Sequence, residues 1–445
     1  MSDYNARFLQ GSIMSHVIRM TVTGMLGLTF MFVVDLANLF WISRLGDERL
    51  VAALGFAWNV QFFTIAVGIG IMIAATALVS KALGEGKKVE AKKFAMGCMS
   101  LGVGIQFILA IFIITFRSEI VKFTGASGQT AQLAERFLLI SIPTLPLMAL
   151  GMVGSAILRS EGDAYRSMFV TMSAGLVALI ADPILIIWLE LGLDGAAINT
   201  GLSRVASTSF ALYSVIKVHN LLAKLTLSVI RSTLFPFLII ALPAILTQLS
   251  GPFASFVITK VIAEFGDSAV AGLSVVNRLT VVAFGGIFSL SGAIGGIFGQ
   301  NYGAKMFFRV RSTYWNSIIF CVAYTLIAWL ILILSTEWII KLFLLGEIGS
   351  EVVRSFNYFA AGGFLFTGMI FVASSAFNNM GKPVYSTMMT WLRDGLVMLP
   401  AVLLGASMFG AIGVVYGNAF AALIIGLPSC FIGWLFIKKL NPDET

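Results

Sequence analysis

Ser43–Gly55 reads SRLGDERLVAALG, and Ala263–Ser274 reads AEFGDSAVAGLS. Each sets a Gly-Asp pair between two long apolar runs, and the two glycines, Gly46 and Gly266, stand 220 residues apart. Three further pairs keep that spacing. LVSKALGEGK from Leu78 matches IFGQNYGAKM from Ile297, SEGDAYRSM from Ser160 matches NMGKPVYSTM from Asn379, and GLDGAAINT from Gly192 matches GAIGVVYGN from Gly410. The offset stays between 218 and 220 residues across all four pairs. The chain is therefore a tandem duplication, with turns at corresponding places in each half.

Between the turns lie apolar runs. The 445 residues are 58% hydrophobic and 11% charged, against about 25% charged in soluble domains. Many runs approach the roughly 20 residues that span a bilayer core. Twelve helices are expected, near 14–43, 50–79, 94–116, 133–157, 166–189, 195–216, 234–262, 269–298, 311–335, 354–378, 384–408 and 411–437. The fold class is all-α and membrane-embedded, with six helices per half. An even number per repeat returns the chain to its starting side, so the two lobes are parallel repeats about an axis along the membrane normal. The expected division is 1–217 for the amino-terminal lobe, 218–233 for a cytoplasmic linker and 234–445 for the carboxy-terminal lobe. The opening MSDYNARFLQGSIMSH has neither a basic n-region nor a small-residue cleavage motif, so the first apolar run is expected to remain as a spanning helix.

Basic residues orient the chain. Lys81, Lys87, Lys88, Lys92, Lys93, Arg159, Arg166, Lys217, Lys224, Arg231, Lys305, Arg309, Arg311 and Lys382, with Arg7, Lys438 and Lys439, fall on one side. Arg44, Arg49, Arg117, Lys122, Arg136, Lys341 and Arg354 fall on the other. The excess of positive charge marks the cytoplasmic face and places both termini there. It accounts for the net charge of +8 without a nucleic-acid partner. Nothing points to an enzyme or a metal cofactor. Cys98, Cys321 and Cys430 are scattered through apolar runs, His16 and His219 stand apart, and GEGKK at Gly84 lacks the spacing of a phosphate-binding loop.

Two six-helix parallel halves, the glycine-centred loops, ADPILIIWLELGLDGAAINT in the fifth and sixth helices and GQNYGA after the eighth together resemble the multidrug and toxic compound extrusion (MATE) transporters. The resemblance covers almost the whole chain. It implies a V-shaped two-lobed bundle, a monomer in the cell's inner membrane, that exports small organic and often cationic compounds in exchange for H+ or Na+, among membrane lipids and with no cofactor. A lipid-linked precursor flippase of the same superfamily is a rival reading, disfavoured by the scarcity of arginine in the spans. A receptor or channel subunit is another, disfavoured by the duplicated halves and their buried acids.

Only three acids sit well inside the expected spans: Asp35, Asp182 and Asp394. Such groups face a bundle interior or a wet cavity rather than lipid. Asp35 lies 11 residues before Gly46, roughly 16 Å at 1.5 Å per residue. Asp182 precedes Pro183, which removes a backbone donor and frees a carbonyl. In a shared cavity the two carboxylates would repel, and a proton or a sodium ion would relieve that repulsion. By the resemblance, Asp182 falls on the family's essential acid in helix 5. The family's acid in helix 1 falls on Asn38, while a common family asparagine falls on Asp35, so acid and amide are exchanged across one helical turn. Thr200 matches a polar position of the family's sodium site. The family asparagine before the helix-5 acid is Ala178 here, and its helix-1 proline is Thr23, with Gly24 and Gly27 nearby.

The expected coupling site is therefore Asp35, Asn38, Asp182 and Thr200, with the ligand count favouring H+ over Na+. In the second half Ser255 matches Asp35 and a residue near Ala401 matches Asp182; by the resemblance, the Glu that some family members carry in helix 7 falls on Gly251, so the cation site is expected in the amino-terminal lobe alone. Arg278, Arg393 and Asp394 form a possible carboxy-terminal polar site, with structural pairing the favoured role. Since adjacent helix residues point about 100° apart, Arg393 and Asp394 need not pair, and Arg278 is an alternative partner. Arg19 and Arg204 read as side chains snorkelling from span ends.

Overall fold

The computed structural model describes residues 6–440. Within them the chain forms twelve long helices and no strand. They are α1 (Ile13–Ser43), α2 (Glu48–Gly84), α3 (Lys88–Thr115), α4 (Gly128–Ser141 and Leu145–Glu161), α5 (Ala164–Asp182, continued by a π turn at Pro183–Trp188) and α6 (Gly192–Tyr213, continued by a π turn at Ser214–Val218). The second repeat gives α7 (Leu227–Ala263), α8 (Asp267–Gly303), α9 (Phe307–Leu342), α10 (Glu347–Tyr358 and Phe364–Asn379), α11 (Pro383–Trp391, a π turn at Leu392–Val397, then Met398–Phe409) and α12 (Ala411–Lys438). A short helix at Arg117–Phe123, not expected from the sequence, lies between α3 and α4, and α4 begins at Gly128 rather than near 133.

The glycine turns that reveal the duplication have a backbone reason. Gly46 and Gly266 have φ of 73° and 89°, a left-handed conformation that a Cβ disfavours by about 1–2 kcal/mol. Beyond the first of these, the Asp47 side chain caps α2 by accepting from the Arg49 N–H. Eleven of the helices qualify as membrane spans by length and hydropathy. α6 does not, because it carries Asp194, Asn199, Ser203 and Arg204 among its apolar residues. That polarity is informative: two of these residues are buried.

In a bilayer, helices gain little from hydrophobic exclusion and associate mainly through close packing and interhelical hydrogen bonds. Small residues serve this throughout. Gly70 of α2 lies against the backbone of Ile245, where an added Cβ would approach the Ile245 Cα to 2.8 Å. Gly405 of α11 and Gly413 of α12 bring their backbones into direct contact.

The chain forms two compact units, Leu26–Ile245 and Met1–Met25 with Leu246–Thr445. Their boundaries lie within α1 and α7. Local packing gives the reason. The segment 219–226 is held within the first unit, with Ala223 N–H donating to Lys92 O at 3.2 Å, and Thr233 of α7 packs on Gly97 of α3. In the second unit, Phe8 N–H donates to Gln300 Oε1 at 2.8 Å, Arg309 Nη2 donates to Phe8 O at 2.7 Å, and Ser289 Oγ donates to Thr21 O at 2.9 Å.

In the Leu26–Ile245 unit a buried apolar core of Ile42, Leu54, Leu138, Ile142, Ile186 and Leu193 joins α1, α2, α4, α5 and α6. It fixes the ends of the three helices, α1, α5 and α6, that carry the candidate site.

Candidate ion site

Asp182 ends the regular part of α5. Pro183 cannot donate a backbone hydrogen bond, and the chain continues as a wider π turn. The Asp182 side chain is fully buried. Its Oδ1 accepts from Asn38 Nδ2 at 2.9 Å and from Asn199 Nδ2 at 2.6 Å. Asn199 Nδ2 also lies 3.3 Å from Ala178 O. One carboxylate oxygen thus joins α1, α5 and α6.

The other half of this cluster is unsatisfied. Asp182 Oδ2 and Asn199 Oδ1 are buried without a hydrogen-bond partner. A buried acceptor left unmade is unfavourable by about 1–3 kcal/mol, and native structures retain few of them. No arginine, lysine or histidine forms an ion pair with Asp182 among the described residues. The arrangement favours an added positive charge: a proton on Oδ2, or a cation beside it.

The expected residues divide. Asn38 and Asp182 are brought together. Asp35, one turn before Asn38 on α1, stays outside the hydrogen-bonded cluster with its side chain exposed, although its charge and that of Asp182 repel each other. Thr200 does not reach Asp182: its hydroxyl donates to Ala196 O, one turn back, at 3.1 Å. The neighbouring Asn199, which the sequence reading passed over, makes the contact instead. Asn199 lies within GLDGAAINT, one of the segments that reveal the repeat.

Arg204 also departs from expectation. It is 8% exposed and does not snorkel. Its Nη1 donates to Ser141 O at 2.9 Å and Thr144 Oγ1 at 2.7 Å, and its Nη2 to Gln61 Oε1 at 2.7 Å. These acceptors gather where Pro143 breaks α4 into a 3₁₀ turn. Arg204 therefore closes a helix break with a buried charge. The corresponding break in α10, at Ala360–Gly363, has a neutral closure nearby, Trp329 Nε1 donating to Asn357 O at 2.9 Å.

The carboxy-terminal residues divide as well. Arg393 Nη1 lies 3.1 Å from Asp394 Oδ1, so the adjacent residues do pair, within the π turn of α11. The approach is poorly aligned for a directed hydrogen bond, and Oδ1 has an ionic neighbour without one. Ser250 Oγ donates to Asp394 Oδ2 at 2.8 Å. Arg278 is exposed on α8 and takes no part. Just after α6, outside the spans, His219 does not stand alone: it reaches the turn between α4 and α5. Its Nε2 lies 2.8 Å from Asp163 Oδ2, which also accepts from Arg166 Nη1 at 2.6 Å. Burial works against the Asp163 carboxylate, but the hydrogen bonds from His219 and Arg166 outweigh it and hold the group well below the usual carboxylate range. Among the described residues no three His, Cys, Asp or Glu side chains are grouped to hold a metal.

The MatE family model matches residues 24–184 and 243–403, the same two halves at an offset of 219 residues. An FAD transporter of Shewanella oneidensis is 26% identical over 426 residues, covering 93% of each chain. The multidrug export protein MepA of Staphylococcus aureus is 22% identical over 447 residues, covering 98% of this chain and 97% of that one. Among solved structures, an outward-facing multidrug resistance MATE family transporter of the MOP superfamily superposes with a TM-score of 0.92 at 22% identity, over 99% of both chains. A MOP superfamily transporter from Pyrococcus furiosus gives 0.91, also at 22% identity and over 99% of both.

Proposed function

This chain belongs to the MatE family of multi-pass membrane transporters, and we propose that it is a secondary antiporter that exports small organic compounds in exchange for protons taken up at Asp182 and Asp35. The observation that carries the reading is the half-satisfied Asp182 cluster, whose Oδ2 is buried without a partner. Ionised, Asp182 holds α1 and α6 through two amide N–H groups on Oδ1. Protonated on Oδ2, it becomes a donor as well, and the repulsion with Asp35 is relieved. Coupling follows if substrate and proton prefer different conformations, since a ligand shifts an equilibrium only by its differential affinity.

A sodium ion is the alternative, and the ligand inventory weighs against it. A hard cation wants several oxygen ligands. Asn38 and Asn199 turn N–H donors toward Oδ1, and the Thr200 hydroxyl is drawn to its own helix, donating to Ala196 O. The unpartnered oxygens within the cluster are Asp182 Oδ2 and Asn199 Oδ1. A proton needs only one of them. The basic residues on the loops support cytoplasmic termini, and the chain is taken to act as a monomer.

The compounds exported are proposed to be organic cations, drawn by carboxylates and by aromatic faces. The similarity to an FAD transporter supports a second substrate class, an anionic dinucleotide, and FAD belongs in any substrate panel. The test uses purified protein in sealed vesicles, with a pH gradient and a sodium gradient imposed separately. Export of ethidium or FAD driven by the pH gradient alone is expected. Export driven by sodium at equal pH, and not by the pH gradient, would replace the proton by sodium.

A further inference from the structure

The repeat offset of 219 residues would carry Asn38 to position 257 and Asp182 to position 401. Neither holds a polar pair: they are Val257 and Ala401. Yet the contact between Ser250 and Asp394 spans 144 residues, the same separation as Asn38 and Asp182. Both partners are displaced from their repeat positions by seven residues in the same direction. On α7, an unbroken helix, seven residues are two turns, a translation of roughly 10 Å and a rotation of only about 20°; on α11 the interval crosses the π turn Leu392–Val397. The second repeat thus joins its first and fifth helices, α7 and α11, by a polar contact of the same sequence separation, nearer the start of each helix.

The two acids differ in what neutralises them. Among the described residues no basic side chain pairs with Asp182, and its second oxygen has no hydrogen-bond partner. At Asp394 the hydroxyl of Ser250 occupies one oxygen, and the Arg393 guanidinium lies beside the other. The side chains of Arg393 and Asp394 are 16% and 5% exposed. Arg393 is the residue immediately before the acid, and it reaches back because the π turn Leu392–Val397 departs from regular helix spacing. The seam between α7 and α11 is otherwise neutral, with Thr247 facing Thr387 and Trp391 Nε1 donating to Leu246 O. On α7 the basic residues are Arg231 and Lys260, and α12, packed along α11, is charged only at its last residue, Lys438. On α10, which meets the start of α11, the charged residues are Glu347, Glu351 and Arg354, all near the other end of that helix. Ser250 and Arg393 are thus the polar contacts of Asp394 among the described residues.

We infer that Ser250, Arg393 and Asp394 are the carboxy-terminal counterpart of the ion site, in which Arg393 is a tethered cation standing where the amino-terminal site takes its coupling ion from solution. This rests on the reading of Asp182 as the coupling acid. The carboxy-terminal unit is then permanently loaded. It keeps its first and fifth helices joined throughout the cycle, and one unit alone responds to the ion. Arg393 is a positioning residue in this scheme, since it acts through Asp394 and touches no substrate. Removing its charge should turn Asp394 into a second site that takes a proton from solution.

The experiment counts protons bound by the purified protein in detergent by potentiometric titration from roughly pH 8 to 5. Wild type is compared with R393Q, D394N, R393Q/D394N and D182N, each checked for monodispersity. R393Q is expected to bind about one proton more than wild type, and D394N and the double variant the same number as wild type. A monodisperse R393Q that binds no additional proton would overturn the inference. So would D394N binding about one fewer, because Asp394 would then already be a titrating site. The D394N comparison keeps the test decisive if R393Q fails to fold. D182N binding as many protons as wild type would count against the coupling role of Asp182, while the difference between R393Q and wild type still decides the role of Arg393.

Discussion

Asn199→Ala is the most discriminating change at the amino-terminal site, because the sequence points to its neighbour Thr200. The substitution removes the N–H that donates to Asp182 Oδ1 at 2.6 Å and leaves that of Asn38 at 2.9 Å. A hydrogen bond to a charged group contributes about 1.5–3 kcal/mol. At about 1.4 kcal/mol per tenfold change, that is roughly 10- to 150-fold in the balance between the ionised and the ion-loaded site. The sign follows from which form the bond favours. An N–H donor stabilises the carboxylate, so its loss favours the loaded form, and the pH of half-maximal export should rise by roughly 1–2 units. Thr200→Val should leave that midpoint within about 0.3 unit, since its hydroxyl serves only Ala196 O. The assay is ethidium export from everted vesicles across a series of external pH values, at matched expression. A midpoint unmoved in Asn199→Ala but shifted in Thr200→Val would refute the assignment and restore Thr200 to the site.

Other expectations concern coupling and stability. Asp182→Asn and Asp35→Asn should each abolish gradient-driven export while the protein stays monodisperse, and normal transport at normal expression would remove that residue from the coupling site. Arg204→Met leaves Ser141 O, Thr144 Oγ1 and Gln61 Oε1 without their donor, and should lower stability by at least about 2 kcal/mol, read as thermal unfolding in detergent; an unchanged melting point would show that water or another donor replaces it. Asp163 is held ionised below the usual carboxylate range, so its contribution is fully present above about pH 4 and is lost as pH falls through the lower folded value. Asp163→Asn should therefore cost about 1–3 kcal/mol at neutral pH and progressively less below pH 4 or so, and a deficit that grows on acidification would contradict the assignment.

The fold was legible because its punctuation is chemical. Gly46 and Gly266 occupy left-handed turns that other residues resist, and the repeat follows from their spacing without any tertiary information. Nothing in the composition of α1 or α7 marks the places, at Met25 and Ile245, where their packing partners change. At the site, the buried acid could be recognised from its setting, but its partner on α6 could not. Adjacent helical residues point about 100° apart, so of Asn199 and Thr200 only one can face Asp182, and the rotation of α6 about its axis is decided by packing. Arg204 misled for a related reason: its place in the chain suggests a span end, while the break at Pro143 creates the buried acceptors that receive it. Arg393 and Asp394, which regular helix spacing does not require to pair, do so within a π turn.

The central claim is that proton binding at Asp182 and substrate export are one exchange. It is tested most directly in liposomes holding the purified protein and a trapped pH indicator, with no gradient imposed. Adding ethidium to one side should drive protons in the opposite direction, in wild type but not in Asp182→Asn, and replacing sodium by potassium should change nothing. Ethidium movement without any proton movement, or proton movement equal in wild type and Asp182→Asn, would contradict the account.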